Sequence, residues 1–238
     1  MPYLVATDLD GTLLRRDFTV SQRTRDALRA AGDAGVEVVY ATGRPPRWLP
    51  AVYEATGLAP VTVCANGALT LLDGEPLHVD AIPDNVVAAV QQALHAQRRD
   101  YRFRTEQWRG HTVKLLAYLP DPDHFDADLV LQEVREAAGH LVEPTYSVRG
   151  ELLIEMGPGG VTKAAALARL REQRWPGHVL VAIGDMPNDE QMLRSADVAL
   201  TVDTGHPRLR GITDRVLPGP DEDGVAALLE RLAAGEVV

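Results

Sequence analysis

Short apolar runs alternate with helical patterns at both ends of this chain, and that alternation constrains its fold more than any other feature. Tyr3–Thr7, Val36–Ala41 and Val61–Ala65 are predominantly apolar, interrupted inside only by Glu37 and Thr62, as strands covered on both faces are. Between them, Ser21 offers an N-cap to a helix carrying Ala27, Leu28 and Ala31, and Gly35 suits its end. A second, proline-led helix starts near Pro45. The rhythm resumes late, with a helix from Thr162 to about Gln173, strand Val179–Ile183, a helix from Pro187, strand Val198–Leu200 and a last helix from about Asp221. This predicts an α/β fold, a Rossmann-like parallel sheet with helices on both faces.

The middle of the chain breaks the rhythm. Asp73-Gly74 is a hairpin signal between Ala68–Leu72 and Leu77–Ile82. After Pro83 come a helical pattern (Val86, Val87, Val90, Leu94), strands Tyr101–Thr105 and Val113–Leu119, a helix from about Phe125 to Ala138, and a strand Leu152–Met156. The expected organisation is a core of residues 1–82 and 158–238 with an inserted α+β domain at 83–157. Gly157-Pro158-Gly159-Gly160 suits the return to the core.

Bulk properties exclude several classes. A net charge of −10 argues against a nucleic-acid surface, which selects Lys and Arg patches. No apolar run approaches the roughly 20 residues that span a bilayer, and the N-terminus has no basic region of a signal peptide. The one cysteine, Cys64, reads as a buried strand residue, and a reducing cytoplasm is the expected setting. A monomer or small homo-oligomer is expected.

The chemistry-bearing residues follow the strands. Asp8-Leu9-Asp10-Gly11-Thr12 stands directly after the first one, where ligands of open α/β sheets bind. Two carboxylates one residue apart can share a pocket and divide the work of nucleophile and general acid/base; the plain alternative is an acidic turn capping a strand. Gly184-Asp185-Met186-Pro187-Asn188-Asp189 follows another strand, and the spacing of Asp185 and Asp189 can put both on one side of a helical turn. Oxygen ligands without Cys or His favour a hard cation such as Mg²⁺. Thr42-Gly43-Arg44 offers a hydroxyl and a helix N-terminus to phosphate oxygens. Lys163 opens a helix against the dipole, which favours a role beyond structure.

In this order the pieces resemble the haloacid dehalogenase superfamily, in particular its Cof-like, type IIB branch with a large α/β cap. The matches are DLDGT at 8–12, ATGR at 41–44, GPGGVTK at 157–163 and GDMPND at 184–189, with Asn66-Gly67-Ala68 and DEDGVAALL at 221–229 in support. The resemblance implies a Mg²⁺-dependent phosphatase of a small phosphorylated metabolite. Asp8 would attack phosphorus to form an aspartyl-phosphate, and Asp10 would protonate the leaving alcohol and then activate water. Thr42, Gly43, Lys163, Asn66 and Asn188 would serve the phosphate pocket. Asp8, Asp10 (through its backbone carbonyl), Asp185 and Asp189 would hold the metal or its waters. Arg44 and Arg47 read as solvating a helix start, the alternative being contact with the phosphate or substrate. The sequence departs from the branch at 199–205, where ALTVDTG replaces the usual Gly-Asn-Ala stretch, and its cap is short.

Specificity is expected from the cap. Its candidates are Arg102, Arg104, Trp108, His111 and Lys114, with Glu106 and Arg109 beside them, and Arg102, Arg104 and Glu106 would share one strand face. Trp48 and Trp175 read as packing residues, and no nucleobase-stacking aromatic pair is evident; since caps of the type this chain resembles commonly serve such substrates, the resemblance implies a sugar or polyol phosphate. The alternatives are a sugar phosphomutase, a phosphoglycolate-type small-acid phosphatase and a non-catalytic phosphometabolite-binding module.

Overall fold

Five of the apolar runs become parallel strands because neither of their faces meets water. In the computed structural model, which describes residues 2–97, 100–119, 126–147 and 153–238, β1 (Tyr3–Thr7) is buried along its whole length. It lies between β2 (Glu37–Ala41) and β10 (Val179–Gly184). With β3 (Thr62–Cys64), β4 (Leu69–Leu72), β5 (Glu75–Val79), β11 (Val198–Val202) and β12 (Arg215–Leu217), they form one sheet in the order β12-β11-β10-β1-β2-β3-β4-β5. All pairs are parallel except the β3-β4-β5 meander.

Helices cover both faces. Leu28, Ala31 and Ala27 of α1 (Gln22–Asp33) and Leu228, Leu229 and Leu232 of α7 (Gly224–Ala233) pack on one side with Val5, Tyr40 and Ile183. Ser21 caps α1 as its position predicts, accepting from the Thr24 amide. On the other face, Leu167 and Leu170 of α5 (Lys163–Arg174) and Met192 and Leu193 of α6 (Glu190–Ser195) pack on Leu4, Val39 and Val63. The proline-led segment is a 3-10 turn over Pro46–Trp48 running into α2 (Leu49–Thr56).

The middle of the chain builds a second, antiparallel sheet from β6 (Arg102–Trp108), β7 (His111–Tyr118), β8 (Val142–Thr145) and β9 (Leu153–Pro158), in the order β6-β7-β9-β8. One face is apolar and packs on α3 (Asp84–His95) and α4 (Ala127–Ala138) through Val90, Leu94, Val130, Leu131, Leu115 and Ile154. The expected starts at Phe125 and Leu152 lie outside the described residues. Three details differ from expectation, the first being the short strand β12, which was not expected. Gly157 and Pro158, read as a hinge, finish β9 and pair with Glu143 and Val142, leaving only Gly159-Gly160 as the turn. β8 was not expected at all, since Pro144 interrupts its pattern; a proline is tolerated there because β8 is an edge strand. No helix among the described residues is long and apolar enough to cross a membrane.

Candidate active site

Register brings the motif loops together. Thr7 stands opposite Ile183 on one side and Tyr40 on the other, so the residues that follow, Asp8, Asp185 and Thr42, emerge side by side at the C-terminal edge of the sheet. Gly11 turns the first loop with φ +78, and a Cβ there would lie 2.6 Å from an Asp185 carboxylate oxygen. Only glycine permits both that backbone and that approach.

At the centre is Lys163. Its side chain is 0% exposed, and its ammonium donates to Asp8 Oδ1 at 2.6 Å and to Asp189 Oδ1 at 2.6 Å. This answers the conflict with the helix dipole: the lysine is held by two buried carboxylates that outweigh it. Burial disfavours the ammonium, but Asp189 and Asp8 more than reverse this and raise its pKa. Asp185 completes the group. One carboxylate oxygen from each of Asp8, Asp185 and Asp189 lies within 4.8 Å of the others, all three residues buried. Burial pushes the Asp8 carboxyl well above the usual carboxylate range, and Asp189, Asp185 and Asp10 add to it against the opposing Lys163. Three buried acids against one ammonium need a further cation, and an all-oxygen donor set suits a hard divalent ion. The residues therefore fit Mg²⁺.

The four expected metal residues divide by geometry. Asp189 is occupied: besides Lys163, it accepts from the Asp185 and Met186 amides through Oδ2, both at 3.1 Å. It shapes the loop and aims the lysine. The Asp10 carboxylate lies outside the acidic group. Arg44 holds it with two bonds, Nε to Oδ2 at 2.7 Å and an Nη to Oδ1 at 2.5 Å. Arg44 was expected to solvate a helix start or, in the alternative, to touch the phosphate or substrate; a pairing with Asp10 was not expected. The ATGR motif was visible, but nothing in the sequence joins it to Asp10. Arg44→Lys, which cannot make the paired bonds, is expected to lower kcat about tenfold to a hundredfold with KM within twofold. Steady-state kinetics check this, and an unchanged kcat would show that Asp10 needs no such support.

Thr42 is buried at the end of β2, its hydroxyl accepting from the Arg44 amide at 3.0 Å. Asn66, left-handed at φ 57, donates to Glu155 Oε2 at 2.6 Å and accepts from Asn188 Nδ2 at 3.2 Å. Its Oδ1 would lie 3.1 Å from a Cβ at Gly43. Thus Gly43, Asn66 and Asn188 share one corner of the site.

Of the residues expected on the second sheet, Lys114 and Glu106 reach the loops of the first sheet, and Lys114 goes deepest. Its ammonium donates to the Gly43 carbonyl at 2.5 Å and to Glu155 Oε2 at 2.6 Å, and Ser147 donates to Glu155 Oε1 at 2.5 Å. Glu155 and Ser147 were missed, although a lone acid in the apolar strand LIEM and a lone lysine in TVKLLAY were the available signal. Arg102, Arg104 and His111 are exposed, with Arg104 over the Tyr118 ring at 5.6 Å. Trp108 packs beside Leu49, Cys64 and Leu69. Glu106 pairs with Arg47, tying β6 to the loop after β2. Cys64 is buried, its thiol pushed up to about 12 by burial.

The Glu155–Lys114 pair predicts acid sensitivity. Burial opposes the Glu155 charge, but Lys114 and the bonds from Ser147 and Asn66 outweigh it, leaving the carboxyl below its ordinary 4.5. Its stabilisation is complete above about pH 4.5 and is lost as pH falls through the depressed folded value. Glu155→Gln should cost about 3–5 kcal/mol at neutral pH by stranding the buried lysine. It should also flatten the fall of melting temperature between about pH 5 and pH 3 relative to wild type; identical slopes would contradict this.

Beside Lys163, Asn66 and Asn188 lies a cleft of about 310 Å³ whose outer wall carries Arg135, Arg194 and Arg208. These cations are engaged, Arg194 with Glu190, Arg208 with Asp128 and Glu190, and Arg135 with the Pro144 carbonyl.

The profile of the haloacid dehalogenase-like hydrolases matches this chain over residues 5–111 and 105–229. The chain belongs to that family. Like its curated relatives it is a phosphatase-type hydrolase. It is 27% identical over 235 residues to the 5-amino-6-(5-phospho-D-ribitylamino)uracil phosphatase of Bacillus subtilis (strain 168), covering 94% of this chain and 92% of the relative. It is also 27% identical over 240 residues to the HMP-PP phosphatase of Yersinia pestis (strain Pestoides F), covering 87% and 86%. Among solved structures, a phosphatase of the haloalkanoate enzyme superfamily from Bacteroides thetaiotaomicron superposes with a TM-score of 0.81 at 23% identity, over 97% of this chain and 95% of that one. In this hydrolase fold the parallel sheet and the second sheet are therefore both shared.

Proposed function

We propose that this haloacid dehalogenase-like hydrolase releases inorganic phosphate from a sugar or polyol phosphate through an aspartyl-phosphate on Asp8. The observation that carries the reading is the buried Lys163 bridging Asp8 and Asp189 beside Asp185. An Asp8 oxygen attacks phosphorus as the bond to the leaving oxygen breaks, and Asp10 gives that oxygen its proton. Asp10 then takes a proton from water, which attacks phosphorus and frees Asp8. Lys163, the Thr42 hydroxyl and the loop at Gly43 hold the transferring phosphoryl oxygens, where charge stabilisation matters most. Mg²⁺, held by Asp8 and Asp185 with the Asp10 carbonyl, would add neutralising charge there. Residues 83–157 act as a cap: the Lys114–Glu155–Asn66 and Arg47–Glu106 contacts join the second sheet to the catalytic loops, and closure excludes water. A polyol substrate accords with the phosphoribityl compound in the name of the Bacillus relative.

The test is phosphate release from a panel of sugar, polyol and small-acid phosphates. Release with Mg²⁺, its loss in EDTA and its return on adding Mg²⁺ are expected. Release untouched by chelation would overturn the metal's role, and conversion of hexose phosphates without free phosphate would identify a mutase.

A further inference from the structure

We propose that Phe18 and Trp48 form an aromatic subsite for the leaving group, so that the alcohol released carries a planar unsaturated ring. The proposal rests on the phosphatase reading and goes beyond it. Trp48 does not pack in the interior: it is 51% exposed, and Phe18, from a different loop, is 60% exposed. In a chain with only three Phe and three Trp, two large open rings at one place need a reason. Both rings lie against Arg44, the residue that holds Asp10. The guanidinium carbon lies 4.7 Å from the Phe18 ring centre and 6.0 Å from that of Trp48.

Phe18 is presented by its backbone. It stands at φ 63, a region bulky residues rarely adopt. The turn is pinned by the Phe18 amide donating to the Arg15 carbonyl and the Arg15 amide to the Thr19 carbonyl, both at 2.9 Å. With Arg44 against one face of the ring, the open surface of Phe18 includes the other. Strain retained at such a position points to use.

The leaving group must pass here. Whatever alcohol departs has to meet Asp10, and Asp10 is bound within this Phe18–Arg44–Trp48 assembly. The 310 Å³ cleft touches Lys163 and Asn66 but none of Asp8, Asp10, Thr42, Gly43 or Arg44, so it does not supply the surface on which the alcohol meets Asp10. Aromatic faces recognise a flat π-system by stacking, whereas a bare polyol would be better held by hydrogen-bonding groups.

The experiment compares matched monoesters that differ only in the ring: ribitol 5-phosphate with riboflavin 5′-phosphate, and ribose 5-phosphate with uridine 5′-phosphate. Wild type is expected to favour at least one ring-bearing member by about tenfold or more in kcat/KM. Phe18→Ala/Trp48→Ala should remove that preference by raising KM for the ring-bearing ester about tenfold, with the ring-less partner within twofold. No ring preference in wild type overturns the proposal. Equal loss on both members also overturns it, showing that the rings only shield Arg44. Failure on both pairs with release elsewhere in the wider panel sinks the subsite and spares the phosphatase reading; failure on every ester sinks both. A melting curve of the double variant within a few degrees of wild type verifies folding.

Discussion

Asp8→Asn is expected to abolish phosphate release, lowering kcat by at least about 10⁴-fold, while leaving the fold as stable as wild type to within about 1 kcal/mol. The substitution preserves shape but removes the attacking oxygen's charge. Stability survives because Asp8 is one of three buried acids that repel each other, and its own carboxyl is pushed up by burial and by those neighbours. Lys163 keeps Asp189 as a partner. Parallel measurements of phosphate release and thermal unfolding decide the matter. Substantial turnover in the variant would remove Asp8 from the chemistry. Collapse of the fold would instead make it a structural residue.

Lys163→Met is expected to fail in both respects. The ammonium is the shared partner of two buried carboxylates at 2.6 Å each, and removing it strands charge where water cannot reach. A loss of about 3–5 kcal/mol follows, together with a fall in kcat of about 10³-fold as a donor to the transferring phosphoryl group disappears. The double variant Lys163→Met/Asp189→Asn separates the effects. It should regain part of the stability, since one orphaned charge is gone, yet none of the activity. Recovery of activity in the double variant would mean that Lys163 serves only to balance Asp189.

The fold was legible where burial on both faces leaves no choice of residue, as in YLVAT and VLVAI. It was not legible where an element is short, at an edge or half-exposed. β8 hides behind Pro144, and β12 is three residues with two exposed. At the site, loops that follow apolar strands could be placed together because a parallel sheet aligns its strand ends. Pairs between loops and sheets could not. Arg44 meets Asp10 across 34 residues and Lys114 meets Glu155 across 41, and no local pattern encodes such distances. Trp48 misled for a related reason: a tryptophan near a helix start usually packs inward, and only the arrangement around Arg44 shows it facing out.

The claim on which the rest depends is that phosphate passes through Asp8. Quenching the enzyme in acid during turnover with Mg²⁺, reducing with borohydride and mapping the peptides tests it most directly, because an acyl phosphate is reduced where a free carboxylate is not. Homoserine at position 8, formed only when substrate is present, is the expected result. Sustained phosphate release with position 8 recovered as unmodified aspartate, or reduction at Asp10 or Asp185 instead, would contradict it.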